Sequence, residues 1–143
     1  MKLDSKGLKA LHDREGLKLK PYLDTRGVPT IAMGNTYYLD GKSVTMKDKP
    51  LTLKEAENLA KIVADDFAKV VNDSLKREVN QNQFNALVSL AYNIGKTAFK
   101  NSTVLRLVNL NPCDKAIGNA FMMWTKNKEL ISRRKSEVIQ YYS

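Results

Sequence analysis

The sequence predicts an α+β fold in which one helix is followed by a small antiparallel sheet and then by several helices. Apolar residues recur at helical spacing near the start of the chain and again beyond residue 52. Between these regions the chain is rich in Pro, Gly, Tyr, Val and Thr, which is typical of short strands and turns. A length of 143 residues suits one domain. We therefore expect a single domain over 1–143, with a sheet lobe over about 17–48 and a mainly helical remainder.

The first helix is predicted to begin at Ser5 and to end near Glu15 and Gly16. Ser5 has a hydroxyl that can cap a helix, and glycine favours a helix end. Leu8 and Leu11 are three residues apart and define the apolar face. The following region contains the residues that mark turns in the predicted sheet, namely Pro21, Gly27, Pro29, Gly34 and Gly41.

The second half of the chain is predicted to be helical. Thr52 and Glu55 have the spacing of a capping box, in which each side chain accepts a hydrogen bond from the other residue's backbone amide. A long helix should follow this pair. Further helices are expected from Asn80 to Gly95, from Ser102 to about Leu110, from about Asp114 to Trp124 and from about Glu129 to Tyr141. We expect Trp124 and the methionines before it to be buried.

The composition limits the classes of ligand. A net charge of +9 favours anionic partners, and nucleic acid, anionic membrane surfaces and the acidic polymers of bacterial envelopes all qualify, although the basic residues form no clear nucleic-acid motif. One cysteine, Cys113, and one histidine, His12, predict neither a disulfide nor a metal site. No apolar stretch reaches 18 residues, and the first residues do not resemble a signal peptide. We therefore predict no stable membrane insertion.

Two carboxyl groups are candidates for glycoside hydrolysis, which usually needs one proton donor and one ionised carboxylate. Glu15 lies where the first helix gives way to the sheet, where apolar packing favours a protonated carboxyl. Asp24 lies in a predicted turn, where donors and solvent favour the ionised form. Thr30 follows on the next strand and could position a water. From composition alone, solvated or structural roles remain the more common interpretation of such residues.

A resemblance to a known family favours the catalytic interpretation. The segment 15–31, EGLKLKPYLDTRGVPTI, resembles the signature of the phage T4 type lysozymes, glycoside hydrolase family 24. In that family a Glu, an Asp nine residues later and a Thr six residues after that form the catalytic triad, and Glu15, Asp24 and Thr30 match the types and both spacings. The segments 83–87, 91–95, 102–105 and 133–137 resemble later parts of the family, so the resemblance covers nearly the whole chain.

The resemblance implies a lysozyme-like fold with an active-site cleft between a sheet lobe and a helical lobe. It also implies hydrolysis, without a cofactor, of the bond between N-acetylmuramic acid and N-acetylglucosamine in bacterial peptidoglycan. Glu15 would be the general acid, and Asp24 and Thr30 would hold the attacking water. Because inversion requires room for that water, we expect the carboxyl groups of Glu15 and Asp24 to be roughly 6.5 to 9.5 Å apart.

Four later residues are candidates for substrate binding or support. Tyr92 and Asn93 could contact the sugar, although Tyr92 could equally pack in the core and Asn93 could end a helix. Arg133 and Arg134 would ordinarily be surface residues of a helix. The resemblance implies instead that one of them, preferably Arg134, supports Glu15. Glu137 is spaced to pair with either arginine.

The chain departs from the family after Thr30. Many relatives continue as Ile-Gly-Tyr-Gly-His-Thr, whereas residues 31–36 read IAMGNT, so Ala32 replaces a glycine and Asn35 a histidine. These changes leave open an alternative function, a catalytically weakened module that binds peptidoglycan or a protein partner. For the enzyme we expect a monomer, made in the host cytoplasm, that reaches the wall through a membrane lesion.

Overall fold

The computed structural model of the chain describes all residues 1–143 and contains seven α-helices and one two-stranded antiparallel sheet. The prediction of an α+β fold is therefore confirmed. In chain order the elements are α1 (Ser5–Glu15), β1 (Lys18–Leu23), β2 (Pro29–Ala32), α2 (Leu53–Ser74), α3 (Gln81–Ile94), α4 (Lys96–Lys100), α5 (Thr103–Leu110), α6 (Ala116–Phe121) and α7 (Lys128–Tyr141). None of the helices is long and apolar enough to cross a membrane.

The chain divides into two compact units. The sheet unit comprises Lys9–Asp65, and the helical unit comprises Met1–Leu8 together with Asp66–Ser143. Each unit has its own buried apolar residues. In the sheet unit these form a small cluster consisting of Ile31, Ala32, Val44, Ala56 and Leu59.

Helix α1 begins as predicted but has a different cap. The Asp4 carboxylate, not the Ser5 hydroxyl, accepts the hydrogen bond from the Gly7 amide, at 2.8 Å. A carboxylate is well suited to this place because the N-terminus of a helix carries partial positive charge. The helix ends at Glu15, and Gly16 follows with a positive φ of 72°, which glycine adopts without steric cost.

The predicted sheet is a single hairpin. Strands β1 and β2 pair so that Tyr22 lies opposite Thr30 and Leu23 opposite Pro29. The register is irregular between Lys18 and Tyr22, which indicates a β-bulge in β1. The rest of the predicted sheet lobe contains two isolated bridges rather than further strands.

The predicted capping box at the start of α2 is confirmed. The Thr52 amide donates to the Glu55 carboxylate at 3.0 Å, and the Glu55 amide donates to the Thr52 hydroxyl at 3.2 Å. Both contacts satisfy amides that have no partner inside the helix. Local sequence therefore fixes the start of this 22-residue helix.

Helix α3 forms the centre of the helical unit. Every residue from 83 to 91 is buried, so this helix is enclosed on all sides. It is capped by Asn80, whose side chain accepts from the Gln83 amide, and it ends at Gly95 as predicted. Helix α4, of five residues, was not predicted, because so short a segment shows no clear helical period.

The later helices begin close to the predicted residues, but the length of one helix and the burial of one residue differ from the predictions. Helix α6 covers only Ala116–Phe121 and is shorter than predicted. The expectation that the methionines before Trp124 are buried is wrong for Met123, which is 67% exposed. Trp124 itself is partly buried and packs against the core of the helical unit. Its position agrees with a role in packing.

Candidate active site

Asp24 lies in the turn between β1 and β2, where backbone amides hold its carboxylate. Oxygen Oδ1 accepts hydrogen bonds from the Arg26 amide at 2.8 Å and from the Val28 amide at 2.9 Å. The Val28 amide is the main cause that lowers the pKa of Asp24; the Arg26 amide and the Arg26 charge add to it against partial desolvation. The turn therefore favours an ionised carboxylate, as the sequence predicted.

The backbone of this turn depends on Gly27. The Gly27 amide donates to the Asp24 carbonyl at 2.9 Å, and the Asp24 amide donates to the Val28 carbonyl at 3.0 Å. Gly27 has a φ of 78°, which completes a three-residue loop of the type that matches the twist of a hairpin. The same glycine thus closes the hairpin and orients the amides of Arg26 and Val28 toward the Asp24 carboxylate.

Thr30 is buried on β2, and its hydroxyl has a fixed orientation. The hydroxyl donates to the Val28 carbonyl at 2.8 Å. Because this contact uses its single hydrogen, the Thr30 oxygen can act toward a ligand as an acceptor only. Val28 therefore connects the two side chains: its amide binds Asp24 and its carbonyl binds Thr30.

Glu15 is the last residue of α1 and is partly buried. Its charge and that of Asp24 both affect Tyr22, which lies opposite Thr30 in the hairpin. Burial is the main cause that raises the pKa of Tyr22, and the two carboxylates add to the shift. The sheet unit therefore brings Glu15 and Asp24 within electrostatic reach of one phenol. The expected separation of their carboxyl groups stays a prediction.

The two arginines of α7 are not surface residues. Arg134 is fully buried and pairs with Glu137, which is also fully buried. Arg133 pairs with the same carboxylate at 3.2 Å and donates to the Ser89 carbonyl at 3.0 Å. The Ser89 hydroxyl donates to Glu137 at 2.5 Å. Interpreting the arginines as ordinary surface residues is therefore wrong, whereas the predicted pairing of Glu137 is confirmed with both.

Tyr92 and Asn93, at the end of α3, have different environments. The Tyr92 ring packs against Phe67 with a centroid separation of 5.1 Å and is half-buried. Asn93 is exposed, and its side-chain oxygen accepts a hydrogen bond from Arg134. Sequence reasoning did not find this contact, because its partners are 41 residues apart. The sugar-binding roles of Tyr92 and Asn93 stay predictions.

Both departures from the family motif lie in the packed part of the sheet unit. Ala32 is fully buried and has a φ of 58°, a left-handed conformation that costs an ordinary residue about 1–2 kcal/mol. Asn35 donates from its amide to the Leu59 carbonyl at 2.9 Å, and its side-chain oxygen accepts from the Met33 amide at 3.3 Å. Asn35 therefore connects the end of the hairpin with α2.

No group of three or more His, Cys, Asp or Glu residues has the arrangement of a metal site. His12 is partly buried on α1, and its Nε2 atom has no hydrogen-bond partner. Cys113 is exposed and has no disulfide partner.

Comparisons with known proteins agree with this arrangement. Residues 12–137 match the family model described as phage lysozyme. The chain is 38% identical over 141 residues to the endolysin of Salmonella phage P22, and the match covers 96% of this chain and 95% of the relative. A crystal structure of a P22 lysozyme mutant has a TM-score of 0.91 and 37% identity, over 100% of this chain and 99% of that chain.

A second solved structure has the same fold. The muramidase domain of SpmX from Asticaccaulis excentricus has a TM-score of 0.85 and 27% identity, over 99% of this chain and 98% of that domain. The sequence match to the P22 endolysin covers almost all of both chains. The match to the family model spans the hairpin with Asp24 and Thr30 as well as the arginines of α7. The chain belongs to the phage lysozyme family.

Proposed function

We propose that this chain hydrolyses the β-1,4 bond between N-acetylmuramic acid and N-acetylglucosamine in bacterial peptidoglycan, with inversion and without a cofactor. The observation that carries the proposal is the hairpin, which holds Asp24 ionised and fixes the Thr30 hydroxyl within the unit that also contains Glu15. Membership of the phage lysozyme family supports this activity, as do the relatives named endolysin and muramidase.

The hydrogen bonds of the hairpin suggest how a water would be held. Oδ1 of Asp24 is occupied by two backbone amides, so Oδ2 is left to accept a hydrogen bond from the water. The Thr30 oxygen would accept the other hydrogen, because its own hydrogen is donated to Val28. A water that donates both hydrogens directs its lone pairs away from the protein, toward the sugar carbon.

The proposed reaction takes place in one displacement. The Glu15 carboxyl donates its proton to the glycosidic oxygen, and the bond between that oxygen and C1 of the muramic acid breaks. The water forms the new bond to C1 from the opposite face, and Asp24 accepts the proton that the water loses. The sugar leaves with inverted configuration at C1, and Glu15 and Asp24 then return to their starting protonation states by exchange with solvent.

The remaining roles belong to the same proposal. The half-buried Tyr92 ring offers apolar surface to a pyranose, Asn93 offers polar atoms, and Arg134 or Arg133 supports Glu15. We further infer that the protein acts as a monomer, is made in the host cytoplasm and reaches the wall through a membrane lesion. Protection from external protease in intact producing cells, lost once the membrane is breached, would support that route.

The experiment that tests the proposal is release of soluble muropeptides from purified peptidoglycan. Borohydride labelling and mass spectrometry should show new reducing muramic acid for the wild type and none for Glu15→Gln. Glu57→Gln is the matched control, because it makes the same change at an exposed position of α2 and should keep wild-type activity. Binding to walls of several types without release by the wild type would instead favour the binding-only alternative.

A further inference from the structure

The chain makes a tight, buried turn directly after Thr30. The turn covers residues 31–35 and is closed by two backbone hydrogen bonds, from the Ile31 amide to the Asn35 carbonyl at 2.9 Å and from the Asn35 amide to the Ile31 carbonyl at 3.0 Å. Ala32 lies inside it with a φ of 58°. A residue with a Cβ atom is strained in this conformation, and such strain persists only where the surrounding contacts fix the backbone.

The side chain of Asn35 supplies those contacts. Its oxygen Oδ1 accepts a hydrogen bond from the Met33 amide at 3.3 Å, and its nitrogen Nδ2 donates to the Leu59 carbonyl of α2 at 2.9 Å. A backbone amide can only donate and a backbone carbonyl can only accept, so the two ends of the Asn35 amide cannot be exchanged. Asn35 is also buried. It therefore holds the turn closed from inside and attaches it to α2.

The position of Thr30 depends on both ends of its strand. On one side the hairpin pairs Thr30 with Tyr22, and the Val28 carbonyl orients its hydroxyl. On the other side Thr30 is bonded to Ile31, which is the residue that Asn35 pairs with through both backbone groups. Opening the turn would release that second side. The hydroxyl would keep its partner in the hairpin, but its oxygen would no longer have one fixed place.

We propose that Asn35 is a positioning residue for Thr30: by holding turn 31–35 against α2, it keeps the Thr30 oxygen where the attacking water needs an acceptor. This inference rests on the proposed function, because it takes Thr30 as an acceptor for that water. Asn35 acts through the backbone and needs no contact with the glycan. Since an amide does not titrate, the support that it gives is the same at every pH of the reaction.

The variant Asn35→Asp tests the inference through its pH profile. When ionised, the new carboxylate opposes the Leu59 carbonyl with a second acceptor; when protonated, it can donate the missing hydrogen bond. Burial beside two uncharged partners raises the pKa of the introduced carboxyl. At neutral pH the turnover number on soluble, uncrosslinked peptidoglycan strands should therefore fall about tenfold to a hundredfold, as for a misplacement of about 1 Å, with little change in KM.

The activity of Asn35→Asp relative to the wild type should then rise as the pH falls through the raised pKa. Dividing by the wild-type rate at each pH removes the titration of Glu15 and Asp24, which the two proteins share. Asn35→His should show the opposite slope. Its neutral imidazole has one donor and one acceptor and can make both contacts, whereas the protonated ring has two donors and opposes the Met33 amide. Its relative activity should fall as the pH falls.

Asn109→Asp is the matched control for stability. Asn109 makes the same two kinds of contact in the helical unit, since it accepts from the Lys76 amide at 2.8 Å and donates to the Ser74 carbonyl at 3.1 Å. Its replacement should lower the thermal midpoint at neutral pH, as that of Asn35 should. Assayed well below the midpoint of every variant, Asn109→Asp should keep the wild-type turnover number at each pH.

The outcomes separate this inference from the proposed function. Muropeptide release by the wild type, together with an unchanged turnover number in folded Asn35→Asp, would overturn the positioning role alone. Relative activities of both Asn35 variants that do not vary with pH would do the same, and Asn35→His keeps this measurement available at neutral pH if Asn35→Asp unfolds there. Absence of release by the wild type would overturn the proposed function and this inference together.

Discussion

Asp24 and Glu137 are both carboxylates with several hydrogen bonds, but the two units hold them in opposite ways. Asp24 lies in a hairpin turn, is held by backbone amides through one oxygen, and has its other oxygen available. Glu137 is fully buried and is held through both oxygens by the side chains of Arg133, Arg134 and Ser89. The first arrangement leaves a reactive atom open to a ligand, and the second leaves none.

The difference shows what each carboxylate contributes. Backbone donors hold Asp24 without needing any distant side chain, so its geometry follows from a short segment of chain. Glu137 balances buried arginine charge and thereby fixes Arg134, which in turn fixes the Asn93 amide. We therefore expect substitution of Glu137 to affect stability first and substitution of Asp24 to affect chemistry first.

The largest expected effect on stability is that of Glu137→Gln. The substitution keeps the size of the side chain but leaves two arginines without a carboxylate in a buried site. Breaking a buried ion pair in this way typically costs about 3–5 kcal/mol in the free energy of unfolding. Urea or thermal unfolding followed by circular dichroism measures the change.

The exposed Glu57 provides the control for that measurement. Glu57→Gln removes the same charge from α2, and its unfolding free energy should stay within about 0.5 kcal/mol of the wild type, as is usual for surface positions. If Glu137→Gln were as stable as this control, the buried network would not stabilise the helical unit, and the contrast with Asp24 would disappear.

Asp24→Asn should have the reverse effect. The amide can still accept through its oxygen, so folding should change little, but it cannot take a proton from the water. We expect the rate of muropeptide release to fall by at least about a hundredfold, as for loss of a general base. Asp40→Asn is a matched control, because Asp40 also accepts from the amide two residues later, that of Lys42 at 2.9 Å. Equal activity of the two variants would rule out the proposed role of Asp24.

The parts of the structure that the sequence predicted correctly depend on signals only a few residues apart. The hairpin turn follows from Asp24 and Gly27, and the start of α2 follows from Thr52 and Glu55. Helix ends at Gly16 and Gly95 were predicted for the same reason. Glu15, Asp24 and Thr30 could be singled out because the family motif is contiguous, so its spacing is visible in the sequence.

The parts that were missed depend on partners far along the chain. The burial of Arg133 requires Ser89, which is 44 residues earlier, and no local pattern indicates that contact. The spacing of Glu137 from the arginines was the one local signal of the network. The cap of α1 was misplaced by one residue because Asp4 and Ser5 are both good capping residues, and the choice depends on backbone geometry.

The smallest expected effect is on unfolding in acid, which tests how strongly the hairpin holds the Asp24 carboxylate. Backbone donors lower the pKa of Asp24 in the folded protein. The contribution of this carboxylate to stability is therefore present above about pH 4, the pKa of an unfolded Asp, and is lost as the pH falls through the lower folded value. Asp24→Asn should therefore show a shallower loss of unfolding free energy below about pH 4. The pKa of Asp48 is lowered mainly by the Thr45 hydroxyl. Asp48→Asn should therefore show the same shallower loss of unfolding free energy as Asp24→Asn, but it should keep full activity. Slopes equal to the wild type in both variants would mean that these donors hold the two carboxylates no better in the folded chain than water does in the unfolded one.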